Sequence, residues 1–205
     1  MELKREIYKS EVQRAKTDTA FVGELVDAVH PKRQKRELRE MASQTLMILA
    51  EDAPACIQPY DEVFFEYLAG KNGFSKMTSL YCITGLLLAK KIPDFSERIH
   101  EYLNMLDDDS VMVASHCALN AGKIAAVFKG FEPEITKRFL KIYESRQNKD
   151  RKDLVVAYIV EAFELFAAQS ENFNEINAFV WQQMENDSPK ARQAAQHYLT
   201  HFEFQ

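Results

Sequence analysis

The residues with the widest chemical reach in this 205-residue chain are its five histidines and three cysteines. Their spacing leaves most of that reach unused. His197 and His201 stand four apart and would share a helix face, a spacing able to supply two metal ligands. The segment QHYLTH lacks the glutamate of a zincin helix, and two ligands do not close a metal site. His116 and Cys117 are adjacent, and neighbouring helical positions point about 100° apart, which suits a thiol–imidazole pair poorly. The sequence has no G-x-S-x-G elbow, no glycine-rich phosphate loop and no Cys-x-x-Cys, and only six glycines from which to build such loops. No catalytic residue, metal site or cofactor is expected.

Binding chemistry is better represented. Lys32, Arg33, Lys35, Arg36 and Arg39 form the one concentrated basic run. They surround a predicted helix start, where backbone N–H groups could add to anion binding; the same run also reads as a solvated helix terminus. Beyond residue 41 the balance is 16 basic against 23 acidic residues, and the whole chain carries a net charge of −5. That balance argues against a nucleic-acid binder working through bulk electrostatics. Cys56, Cys82 and Cys117 are odd in number, far apart and set in apolar helical stretches, so they read as reduced core thiols of a reducing compartment. The N-terminus alternates charges without an apolar run, and no stretch reaches the roughly 18 to 20 apolar residues of a membrane span. The expected location is cytoplasmic.

These residues must be positioned by helices. Apolar positions recur at helical spacing through nearly the whole chain, and strand-like alternation is hard to find. Five segments align from Leu38, Met77, Val113, Leu154 and Ala191, spaced 39, 36, 41 and 37 residues apart. Offsets 4, 8 and 11 from each anchor are apolar or Gly, among them Ala42, Tyr81, Gly85, Cys117, Tyr158 and Leu165. The seventh offset, Thr45, Thr84, Asn120, Glu161 and Tyr198, is mostly polar. A second helix is anchored at Val63, Ile99, Ile135 and Ile176, which makes each complete unit a helical hairpin with a period suited to a solenoid. Gly85 and Gly122 fall where first helices would pack closely.

DSPKARQAAQHYL at 187–199 resembles the first-helix signature of HEAT repeats, and DDSVMVASHCALNAG at 108–122 is a weaker version of it. The resemblance covers roughly residues 31–205. It implies an all-α, right-handed α-solenoid of about five HEAT-like hairpins. On this reading 1–30 form an N-terminal cap, 31–187 hold four two-helix repeats, 188–205 form a C-terminal capping helix, and the whole is one domain. Only Ala191 is followed by the family's arginine, so the Asp–Arg ladder of regular HEAT arrays is largely absent and packing should hold the stack.

Stacked hairpins usually place their second helices along a concave face. The candidate partner-binding positions there are Phe64, Phe65, Leu68, His100, Glu101, Asn104, Lys137, Lys141, Asn177 and Trp181. They mix aromatic, amide and charged groups in a composition suited to a peptide, although large apolar residues at helical spacing are usually core and would then pack between repeats. His100-Glu101 is similar to the His-Glu pairs of deoxyhypusine hydroxylase, a HEAT-repeat enzyme, but that family needs several pairs and this chain has one. The expected function is a non-catalytic scaffold for a protein or peptide. The alternative is a nucleic-acid binder resembling the alkylpurine DNA glycosylases, with Lys137 and Lys141 as its best groove cations.

Overall fold

The computed structural model describes residues 3–30, 35–144 and 148–202, and among them every regular element is a helix. The α-helices are α1 (Lys9–Ala15), α2 (Thr19–Val29), α3 (Arg36–Asp52), α4 (Asp61–Ala69), α5 (Gly73–Leu88) and α6 (Phe95–Leu103). They continue with α7 (Val111–Val127), α8 (Glu132–Leu140), α9 (Lys149–Phe163), α10 (Phe173–Gln182) and α11 (Pro189–Phe202). The chain divides into two compact units, residues 1–102 and 103–205.

Local chemistry sets the helix starts. Asp18, Asn72 and Asn148 each accept a hydrogen bond from a backbone N–H of the first turn, at Phe21, Ser75 and Arg151. Pro189 opens α11, and Pro133 lies inside the first turn of α8; at either place no intrahelical N–H bond is lost.

Long and short helices alternate. α3, α5, α7, α9 and α11 span 14 to 17 residues, whereas α4, α6, α8 and α10 span 9 or 10. In residues 1–102 α3 lies along α5, and in residues 103–205 α7, α9 and α11 lie side by side. Glycine permits the approach. A Cβ on Gly85 would sit 2.3 Å from the carbonyl oxygen of Ala50, and one on Gly122 would sit 2.6 Å from the Ala162 Cβ.

Most anchors of the apolar stripe are core, including Met77, Val113, Ala191, Ala42, Leu46, Ala121, Ala162 and Leu199. Leu38 and Leu154 are not, because each lies on the open side of its helix, and Leu165, just past the end of α9, is exposed as well. In α9 the buried set is instead Val155, Val156, Ala157, Ile159, Val160 and Phe163. The seventh offset also departs from expectation, since Thr45, Thr84, Asn120 and Tyr198 are buried. Most of their polar atoms are bonded: the Thr84 and Tyr102 hydroxyls are 2.8 Å apart, and the Asn120 amide N–H donates to the His116 carbonyl, whereas Asn120 Oδ1 is enclosed without a hydrogen-bond partner.

The polar contacts of residues 103–205 converge on the connection before α11. Tyr143 donates to Asp153 at 2.7 Å, and Asn186 donates to the Tyr143 hydroxyl, to Asp153 and to Gln183. Lys149 bridges Asp153 and Asp187, and Arg192 donates to the carbonyls of Asn186 and Asp187. This knot joins α9 to α11 where the regular Asp–Arg ladder is missing. Farther along, His197 Nδ1 and a Glu164 carboxylate oxygen meet at 2.8 Å, a hydrogen bond that becomes an ion pair when the imidazole is protonated.

Two outcomes test this packing. Gly85→Ala and Gly122→Ala should each lower stability by about 1–3 kcal/mol or more, because the new methyl meets a neighbouring helix. Gly130→Ala, which meets nothing within 4 Å, should stay within about 0.5 kcal/mol in the same urea titration. The hydrogen bond and charge of Glu164 raise the pKa of His197 above its ordinary value. The pair therefore contributes below that ordinary value and fades as pH rises through the raised one. An NMR titration should place the His197 midpoint above about 6.5 and lower in Glu164→Gln; equal midpoints would mean the pair does not form.

Candidate binding face

The second helices do not present a continuous binding strip. Phe64, Phe65 and Leu68 are each 2% exposed or less and belong to the core of residues 1–102, which removes them from any partner surface. The helix α4 turns these three apolar side chains inward and leaves Glu62 and Glu66 in solvent. Arg98 explains the neighbouring charges. Its guanidinium stacks 3.5 Å from the Phe65 ring centre and pairs with Glu62 at 2.8 Å and Glu101 at 3.1 Å. Glu101 is thereby tied to its own helix, while His100 and Asn104 are exposed beside it.

In residues 103–205, Lys137 and Lys141 are exposed, and Lys141 pairs with Glu144 at 3.2 Å. Asn177 is half-buried and accepts the Tyr198 hydroxyl at 2.9 Å, a contact that fastens α10 to α11. Trp181 is the large exposed aromatic of these helices, at 55%.

Exposed apolar side chains gather instead on the long helices of residues 103–205. Met112 and Val127 on α7 are 43% and 59% exposed, and Leu154 on α9 and Leu165 just beyond it are 43% and 50% exposed. The residues between them complete two helical stripes: His116, Leu119 and Lys123 on α7, and Tyr158 and Glu161 on α9, all half-buried. The arrangement follows from α9 itself. That helix has α7 on one side and α11 on the other, and its Val155, Ile159 and Phe163 side is core, so positions 154, 158, 161 and 165 remain open. Lys190 of α11 closes one margin, 3.3 Å from the Tyr158 ring centre and 3.8 Å from Glu161. Burial lowers His116 to about 4, with Lys123 adding to the effect, so this imidazole is neutral near pH 7. Sequence periodicity missed Leu154 and Leu165 because both fit a core stripe. The available signal was the second apolar stripe on α9, since one helix cannot bury both against a single layer.

Little of the remaining chemistry is poised for catalysis. Burial pushes the Cys82 and Cys117 thiols well above their ordinary pKa, which keeps them protonated and unreactive, and Cys56 is half-buried. Among the described residues no three His, Cys, Asp or Glu side chains gather as a metal site, and no helix is long and apolar enough to cross a membrane.

The basic run is divided. Lys32 and Arg33 lie outside the described residues, and Lys35 and Arg36 are exposed at the start of α3. Arg39 packs inward, 5.0 Å from the Phe74 ring centre and 3.4 Å from Asn72 Oδ1. A cavity of about 700 Å³ nearby is lined by Asp27, His30, Glu66, Tyr67, Asn72 and Ser75, among others. Several of its polar groups are already bonded: Tyr67 donates to the Val26 carbonyl and Ser75 to the Val29 carbonyl.

No family model matches the sequence, and no curated protein matches it either. Solved structures do match in fold. A designed armadillo repeat protein in complex with the peptide (KR)4 is 13% identical, covers 97% of this chain and 92% of its own, and has a TM-score of 0.58. A second designed armadillo repeat protein is 15% identical, covers 96% and 92%, and has a TM-score of 0.54. An engineered protein from the Northeast Structural Genomics Consortium is 12% identical, covers 98% and 93%, and has a TM-score of 0.61. With its helical hairpins and long helices laid side by side, the chain has the all-helical α-solenoid fold of an ARM/HEAT-like repeat protein.

Proposed function

We propose that the chain is a non-catalytic scaffold that binds an extended protein segment across the long helices α7, α9 and α11. The observation that carries this reading is the pair of open stripes, of Met112 on α7 and of Leu154, Tyr158 and Leu165 along α9, interrupted by His116, Lys123 and Glu161 and edged by Lys190. Grouped apolar exposure with a polar border is the composition of a protein-interaction surface. It moves the candidate surface from the second helices to the first. The complex of a designed armadillo repeat protein with a (KR)4 peptide supports peptide binding as a use of this fold.

Nucleic acid is the poorer partner. The cations Lys137 and Lys141 stand among acidic residues, Lys141 is already paired, and the net charge is −5. Reduced cysteines suit a cytoplasmic scaffold.

Face-selective capture tests the proposal. Leu154→Glu/Leu165→Glu should retain at least about tenfold less partner than the unsubstituted chain in quantitative mass spectrometry, while changing stability little because both side chains are exposed. Lys137→Glu/Lys141→Glu should retain partner as before. The reading fails if the leucine pair is dispensable and the lysine pair is not, or if the retained material is nucleic acid released by moderate salt.

A further inference from the structure

The long-helix face of residues 1–102 is already occupied, and its occupant has a recognisable chemistry. Leu3 packs against Met47, Met77 and Tyr81, beside Phe74. The backbone N–H of Lys4 donates to Gln44 Oε1 at 3.0 Å, and Gln44 itself is only 6% exposed. The Lys4 ammonium pairs with Glu40, and the Arg5 guanidinium divides between Glu51 and Asp52. Leu3 and Lys4 are non-helical and precede α1. Three features of α3 and α5 thus meet three features of a short segment: an apolar shelf holds the leucine, a buried amide holds the backbone, and carboxylates on α3 hold two cations.

The charges confirm that the match is electrostatic as well as geometric. The hydrogen bond to Glu40 raises the Lys4 pKa, and the same bond lowers that of Glu40. All three ion pairs are solvent-exposed, so salt screens them and water competes for them. Residues 3–5 run into α1, which itself packs against α3, and their own hold on the face rests on the Leu3 contact, one backbone hydrogen bond and screened charges. Their advantage over an outside segment is tethering, which sets a high effective concentration.

We infer that the α3–α5 face is a recognition surface for a protein segment of the pattern apolar–basic–basic, which Leu3, Lys4 and Arg5 occupy as the chain's own competitor. Gln44 holds the backbone, Met47, Met77 and Tyr81 hold the apolar side chain, and Glu40, Glu51 and Asp52 select the cations. This surface stands on its own contacts and does not depend on the α7–α9 proposal.

Fluorescence anisotropy with the full chain and a labelled synthetic peptide copying residues 2–8 tests the inference. Lys4→Glu/Arg5→Glu places like charges opposite the three carboxylates and should free the face, so the variant should bind the peptide at least about tenfold more tightly than the unsubstituted chain. The milder Lys4→Ala/Arg5→Ala should move affinity in the same direction. Adding Glu51→Lys/Asp52→Lys to the first variant should remove peptide binding, because the reversed charges attract the chain's own segment and repel the probe. A peptide with its Lys and Arg replaced by Glu should not bind the freed face. The inference is overturned if both freed variants, folded by circular dichroism, bind the peptide no better than the unsubstituted chain. It is equally overturned if they take up the charge-reversed peptide as well, or if the unsubstituted chain forms concentration-dependent dimers that the Lys4/Arg5 substitutions abolish, since the occupant would then be a second copy.

Discussion

Much of the architecture depends on how closely the long helices approach one another. At Gly85 the backbone of α5 meets the carbonyl of Ala50, and at Gly122 that of α7 meets Ala162, at separations that leave no room for a methyl group. Helices in backbone contact bury whatever lies on their facing sides, polar or not, and this is why Thr45, Thr84 and Asn120 are enclosed. Enclosure then demands partners, since an unpaired buried polar group is costly. Thr84 finds Tyr102, and Ser43 finds Thr78 at 2.6 Å across the α3–α5 contact. With both flanks and the back of a long helix used, one side is left to solvent.

That sequence of constraints separates what the sequence discloses from what it hides. Helical periodicity depends on the local spacing of apolar residues, so the anchors and the two closely packed glycines are visible without tertiary information. The orientation of α9 is not. Val155, Ile159 and Phe163 make one apolar stripe and Leu154, Tyr158 and Leu165 make another, and the choice between them is made by α7, α11 and the second layer. Local pattern cannot distinguish a buried leucine from one displayed at the same spacing. Phe64 and Phe65 failed in the opposite direction, as side chains assigned to a groove that the structure uses for packing.

Charge proved an equally indirect guide. Arg98 holds the Phe65 ring and two glutamates, Lys149 ties Asp153 to Asp187, and Arg192 closes on two carbonyls. Where such pairs face solvent, water and salt weaken them, so their value lies in orientation more than in stability. The Asp187 and Arg192 of the HEAT-like motif are both engaged around the α11 start, and the ladder missing from the sequence is replaced by the neutral knot of Tyr143, Gln183 and Asn186 around Asp153. Histidine-glutamate adjacency at positions 100 and 101 has the same character, since Glu101 serves Arg98.

The two compact units treat the same structural layer differently. In residues 1–102 the apolar side chains Met47, Met77 and Tyr81 are covered by Leu3, and the acidic residues around them are neutralised by Lys4 and Arg5. In residues 103–205 the stripe on α7 and α9 remains half open, with His116 held neutral by burial and the sole cation–π contact of Tyr158 given by Lys190 among the described residues. Water penalises exposed apolar surface in proportion to its area, at about 25 cal/mol per Å², so a face of this kind lowers its free energy whenever something covers it. The first unit shows what a suitable cover consists of: one apolar side chain, one backbone amide and complementary charge. In the second unit the border is mixed, with Lys123 and Lys190 opposed by Glu161, whereas Glu40, Glu51 and Asp52 give the first a border of one sign. For the binding proposed at these two faces, specificity would therefore reside in the polar margin and affinity in the apolar stripe that the margin encloses.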